Sequence, residues 1–178
     1  MSIAISETAP WFDLPGVDGR SHSLDDYADA RALVLVQSCN HCPYVQGWEG
    51  RLIAIQRDYA GQDVRIVAIS SNDVASHPED SFEQMEVRAR EQGFNFDYLY
   101  DESQSIARAL GSERTPEVFV FDGDRRLVYH GAIDDSRNEE AVTAHYLRDA
   151  LDAVLAGTAP AVADTLPVGC TVKWRTVS

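Results

Sequence analysis

The apolar run Ala32-Leu-Val-Leu-Val36 leads within three residues into Cys39-Asn-His-Cys42, and Pro43 follows at once. Beyond the proline, Val45, Trp48, Leu52, Ile55 and Tyr59 recur at three-and-four spacing, the mark of a helix with one buried face. Proline suits the opening turn of a helix, so the spacing predicts a helix over 43–59 that begins at the cysteines. The preceding run shows no alternation of apolar and polar residues, which is how a strand covered on both sides reads. A buried strand that runs through two cysteines into a helix is the start of an α/β arrangement.

The rest of the chain supports that class. Phe12 to Leu24 holds two glycine turn signals between short mixed segments and predicts a small leading hairpin. Val64 to Ile69 is β-branched and continuous, a central strand. The acidic start at Pro78–Ser81 and the closing Gly93 frame a helix, and Ser103 to Leu110 forms another, stopped by Gly111. Between them, Phe94 to Tyr100 reads as extended. Val118–Phe121, Asp122-Gly123 and Arg126–Tyr129 give strand, turn and strand, and Glu139 to Ala156 reads as a last helix before Gly157 and a tail. This order implies an α/β fold with a mixed central β-sheet flanked by helices, an N-terminal β-hairpin extension and a C-terminal tail. The chain has 178 residues and is expected to form a single domain over 1–178.

Charge narrows the partners. The formal net charge is -14 and Lys173 is the only lysine, so the averaged field repels nucleic acid and anionic lipid. The first residues have no basic, greasy leader pattern, and no apolar run approaches the roughly 20 residues of a membrane span. A cytoplasmic protein is expected. In a reducing compartment, clustered cysteines serve thiol exchange or metal binding more often than permanent cross-linking.

A thiol at a helix start meets free N–H groups and the positive end of the helix dipole, which lower its pKa from about 8.5. Cys42 adjoins Pro43 and is therefore the expected nucleophile, with Cys39 as the neighbouring thiol that resolves a mixed disulfide. His41, if protonated, adds positive charge beside the thiolate. The reverse order of the two cysteines stays open. Two alternatives compete: Zn²⁺ held by Cys39, His41 and Cys42 with Cys170 as a distant fourth ligand, and cysteines that merely pack in the core. The second expected element is Thr115-Pro116 at a strand start, where a cis bond can point the Thr115 backbone toward an incoming partner and an ordinary trans proline at a strand edge is the alternative. Cys170, with Lys173 nearby, is a possible third thiol on a tail that is either mobile or docked as an edge strand. Asp134, Asp135 and Arg137 read as a loop with its own ion pair or as substrate-orienting groups.

The segment Cys39-Asn-His-Cys-Pro-Tyr-Val45 resembles the peroxiredoxin-like branch of the thioredoxin-fold redoxins, the AhpC/TSA group. Ser71-Asn72-Asp73, Pro78–Ser81, Tyr98–Glu102, Thr115-Pro-Glu117, Gly131–Arg137 and Gly169–Trp174 extend the resemblance through most of the chain. The resemblance implies a thioredoxin-like fold with Pro116 as the cis-proline, and it likens the cysteine before Pro43 to the attacking cysteine of thioredoxins. Departures are informative. Peroxiredoxins carry Pro-x-x-x-Thr/Ser-x-x-Cys; counted back from Cys39 those places hold Ala32 and Val36, and counted back from Cys42 they hold Leu35 and Cys39. Val45 stands where a thioredoxin counted from Cys42 has its second cysteine, and Arg114 stands where relatives often have a thiol before Thr-Pro. The expectation is a thiol-disulfide oxidoreductase acting on protein or small-molecule disulfides, reset by a cellular dithiol, as a monomer or homodimer without cofactor or metal. A thiol-dependent peroxidase and a non-enzymatic Zn-binding or partner-docking module are the alternatives.

Overall fold

The computed structural model describes residues 1–177. A hairpin of β1 (Asp13–Pro15) and β2 (Ser21–Ser23) precedes β3 (Ala32–Ser38), α1 (Pro43–Tyr59) and β4 (Val64–Ser70). Then follow α2 (Phe82–Gln92), β5 (Asp97–Tyr100), α3 (Ser105–Leu110), β6 (Arg114–Thr115), β7 (Glu117–Phe121), β8 (Leu127–Gly131), α4 (Tyr146–Leu155) and β9 (Cys170–Thr171). The central sheet has the order β5-β4-β3-β7-β8, with β3, β4 and β5 parallel and β7 and β8 antiparallel to their neighbours. Among the described residues no helix is long and apolar enough to cross a membrane.

Every residue of β3 is buried, because both faces of the sheet are covered. Ala32, Val34 and Val36 pack with Trp48, Leu52 and Ile55 of α1, Met85 of α2, and Leu147 and Leu151 of α4. Leu33 and Leu35 point the other way, to Phe12, Tyr27, Phe119, Phe121 and, from α3, Ile106 and Leu110. Each large apolar side chain buried this fully contributes roughly 1.5–3 kcal/mol of transfer free energy. The strand order also assembles the functional edge. Parallel β3, β4 and β5 all end on one side, and antiparallel β7 begins there, with Gln37 opposite Glu117. Loops from four strands therefore meet beyond Ser38, Ser70 and Tyr100 and before Glu117.

Three local expectations need correction. The helix expected over 139–156 is a 3-10 turn at Glu139–Ala141 followed, after a gap, by α4. Asp135 causes the gap: its carboxylate accepts from the Thr143 N–H at 2.8 Å and from the Thr143 hydroxyl, and its own N–H donates to the Ala144 carbonyl. The helix expected from Ser103 starts at Ser105, since Gln104 adopts φ 63 and the Ser103 hydroxyl takes the Ser105 N–H. Within the extended 94–100 segment, only Asp97–Tyr100 joins the sheet.

Candidate active site

Cys42 is the N-cap of α1, with extended backbone (φ -69, ψ 122), and Pro43 is the first helical residue. Cys39 follows directly on Ser38 at the end of β3. The loop between them is fastened by Asp80, whose side chain is 0 % exposed. Asp80 Oδ1 accepts from the backbone N–H of Asn40 at 2.7 Å and of His41 at 3.2 Å, while Oδ2 takes the Asn72 amide at 2.9 Å. The Tyr98 hydroxyl donates to Asn40 Oδ1 at 2.8 Å, so the loop is gripped from β5 as well. Nothing local in the sequence signals these grips; Pro78–Ser81 stood out as the acidic start of a helix and as a family-like stretch.

Three sulfurs converge at the end of β3. Cys42 Sγ and Cys170 Sγ are 2.6 Å apart, and both residues are free cysteines. Cys39 Sγ lies 3.7 Å from the Thr115 hydroxyl, and Cys42 Sγ lies 3.4 Å from the Thr115 carbonyl oxygen. Hydrogen bonding from Cys39 holds the Cys42 thiol down to about 4, against burial and with further help from Cys170 and the Val45 N–H. That N–H faces the sulfur without closing a full cap hydrogen bond. The two donors move the opposite way. Cys39 is pushed well above the ordinary thiol range by its bond to Cys42, by burial and by the Asp80 charge. Cys170 rises to about 11 through burial and through Cys42, opposed by Lys173. One negative charge is thus concentrated on Cys42, held by two thiols and the start of a helix.

The Cys42 thiol is not open to solvent. Cys42 is 0 % exposed and Cys39 1 %, and Cys170 with Tyr44 packs over them. The tail docks in strand form: β9 pairs antiparallel with β6, placing Thr115 opposite Cys170. Clamps extend the strand on both sides, with Asn72 Oδ1 accepting the Lys173 N–H at 2.9 Å and the Lys173 carbonyl accepting the Asp73 N–H at 2.8 Å. The Gln104 amide donates to the Lys173 carbonyl at 3.0 Å, and its oxygen accepts the Arg175 N–H at 3.0 Å. Trp174 lies beneath the Arg108 guanidinium, 4.9 Å from ring centroid to carbon. A Cβ on Gly169 would fall on the Thr115 carbonyl, so only glycine allows this approach. The Thr115-Pro116 bond is cis, and the backbone that Thr115 meets is the chain's own tail.

The remaining expected groups stand further off. His41 Nδ1 is 2.5 Å from Asp80 Oδ2, and its ring stacks on His77 with centroids 5.5 Å apart. At this site the donor atoms brought within 4.8 Å of one another are those of Cys39, His41 and Asp80; of the ligand set expected for Zn²⁺ this group keeps Cys39 and His41, lacks Cys42 and Cys170, and adds a carboxylate. Such a mixed sulfur, nitrogen and oxygen set is within the reach of that ion. Arg114 is exposed and reaches the Gly169 carbonyl at 3.4 Å rather than a thiolate. Asp134 pairs across to Arg51 of α1 at 2.6 Å and accepts from Trp48 Nε1 at 2.9 Å, whereas Arg137 lies over the Tyr44 ring. The ion pair expected inside that loop is therefore made between the loop and α1.

The family described as AhpC/TSA matches residues 5–130. The chain belongs to the AhpC/TSA family. Cys39, Cys42, Thr115 and Pro116 fall inside the matched AhpC/TSA region, and Cys170 falls beyond it. The structure is similar over 99% of this chain and 98% of the other to a hypothetical protein from Sinorhizobium meliloti, at 39% identity and TM-score 0.94. An uncharacterized conserved protein from Geobacillus kaustophilus is similar at 39% identity and TM-score 0.93, covering 98% of this chain and 94% of that one. The thioredoxin domain of a thiol-disulfide oxidoreductase from Bacteroides vulgatus shares the fold at 14% identity and TM-score 0.63, over 72% of this chain and 89% of that domain. No curated protein matches significantly.

Proposed function

We propose that this AhpC/TSA member is a cytoplasmic thiol-disulfide oxidoreductase that works through its C-x-x-C segment, with Cys42 as the attacking thiolate. The observation that carries the reading is the convergence of two thiol donors and a helix start on the Cys42 sulfur. A thiolate is the nucleophile in disulfide exchange, and a sulfur ionised at neutral pH needs no separate base. A second thiol must then free the product, and Cys39 is the neighbour that the C-x-x-C spacing offers. Thr115 and Pro116 present backbone to a partner once β9 has left, and His41 borders the loop. Disulfides are the substrates, and a cellular dithiol returns the enzyme to its reduced form. Peroxide is a poor substrate in this reading, because counted back from Cys42 the place of the peroxide-positioning hydroxyl is taken by Cys39 and that of the proline by Leu35.

The test is reduction of oxidised glutathione with dithiothreitol as the recycling reductant. Cys42→Ser is expected to fall to the uncatalysed rate, while the wild-type thiolate, followed by its ultraviolet absorbance, titrates near 4. A Cys42 that titrates in the ordinary range of about 8.5 and does not exchange would end the proposal. A chelator-sensitive metal bound in stoichiometric amount that protects Cys39 from alkylation would favour a binding module instead.

A further inference from the structure

We infer that Cys170, delivered by β9, is the thiol that resolves the intermediate formed on Cys42, in place of Cys39. The inference rests on the reading of Cys42 as the attacking thiolate and names the second sulfur of its cycle. Cys170 Sγ is in contact with Cys42 Sγ at 2.6 Å, and this contact is built rather than incidental. The Thr115–Cys170 register sets it, Asn72 and Gln104 clamp the adjoining Lys173, and Gly169 lets the strand lie against the Thr115 carbonyl. Cys39 is placed differently. It is 1 % exposed, rests against the Thr115 hydroxyl, and feels the buried Asp80 carboxylate, which opposes its ionisation. Around Cys170, burial and Cys42 raise the thiol to about 11, and no carboxylate adds to that rise, while Lys173 and the Tyr44 N–H oppose it.

The cycle balances with a small disulfide as oxidant. Because Cys42 is covered, β9 lifts from β6 to admit substrate. The Cys42 thiolate attacks one substrate sulfur; the substrate S–S bond breaks, its other sulfur leaves with the electron pair, and a Cys42–substrate disulfide forms. Cys42 is then neutral, which leaves burial, the larger cause, but removes the Cys42 charge from what holds the Cys170 thiol up. When β9 returns, Cys170 gives its proton to water and attacks Cys42. The second substrate sulfur leaves with its electron pair and is protonated by water. The substrate has been reduced to two thiols, and Cys42 and Cys170 oxidised to one disulfide, which an external dithiol reduces as it becomes a disulfide itself. β9 is thus a strand that must leave for the first step and come back for the second.

The experiment treats the fully reduced, full-length protein with one equivalent of oxidised glutathione, denatures it in N-ethylmaleimide and maps disulfides by mass spectrometry. The expected result joins the Cys42 and Cys170 peptides and leaves Cys39 alkylated, and the same bond forms in Cys39→Ser. In Cys170→Ser, glutathione stays on Cys42 and turnover falls about tenfold or more. Gly169→Ala, which keeps all three thiols but displaces β9, is expected to trap the same adduct. A Cys39–Cys42 bond with Cys170 alkylated overturns the inference and leaves the oxidoreductase reading intact. Neither a protein disulfide nor a glutathione adduct on Cys42 overturns both.

Discussion

Asp80 carries more of the site than any residue without sulfur. It is a buried carboxylate that binds two backbone N–H groups of the C-x-x-C loop and the Asn72 side chain, and Asn72 in turn holds the tail. Hydrogen bonds to a buried charge are worth about 1.5–3 kcal/mol, more than neutral ones. Asp80→Asn, which keeps the shape but brings an amide against these donors, should lower stability by about 2 kcal/mol in urea unfolding. It should also make Cys39 more acidic, because the Asp80 charge is one cause of its raised pKa. Iodoacetamide labelling of Cys39 against pH measures that change, and an unchanged profile would show that the charge does not reach the thiol. Cys42 was legible in the sequence because its partner signals, Pro43 and the helical spacing, are adjacent. Asp80 was not, because the loop it holds lies about forty positions upstream and no periodicity marks a long-range carboxylate.

At the scale of elements, α1 is tied to the loop after β8 by a nearly dry cluster. Asp134 accepts from both Trp48 and Arg51, and the side chains of Asp134 and Arg51 are 4% and 10% exposed. Removing one member of such a pair leaves the other charge buried without compensation, at a cost of about 3–5 kcal/mol. Asp134→Ala is therefore expected to destabilise the fold by about 3 kcal/mol, read as a shifted denaturation midpoint with unchanged slope. Element type was readable wherever a periodic face or a cap was present: β3, β4 and α1 stand close to their expected bounds. The failures came where a side chain overrode the pattern. Asp135 holds Thr143 and interrupts what composition reads as one helix, and Gln104 in a left-handed turn delays α3. Cys170 was readable as a possible third thiol on a tail either mobile or docked as an edge strand, but the register that sets it beside Cys42 was not, since pairing between β6 and β9 leaves no trace in either two-residue strand.

Across the whole molecule, the tail is held at two places by different forces. Near its start, His130 of β8 bridges Glu117 at 2.6 Å and Asp164 at 2.8 Å. Burial lowers the His130 pKa, but Glu117 and Asp164 outweigh it and leave the imidazole above its ordinary value. A histidine raised in the folded state stabilises it fully below the unfolded value of about 6.5, and that contribution is lost as pH rises through the folded value. The stability difference between wild type and His130→Gln should therefore be largest in mild acid and shrink with alkali. Urea unfolding across pH checks this, and a constant difference would remove the ion pair as its source. Glu117 also accepts the N–H groups of Glu113 and Arg114, so the same carboxylate steadies the approach to Thr115. Further along, Trp174, itself exposed, stacks against the Arg108 guanidinium next to the docked β9. The tail consequently carries its own optical reporter: undocking takes that indole away from the Arg108 cation, and the change in its emission can time strand departure in a stopped-flow trace without any added dye.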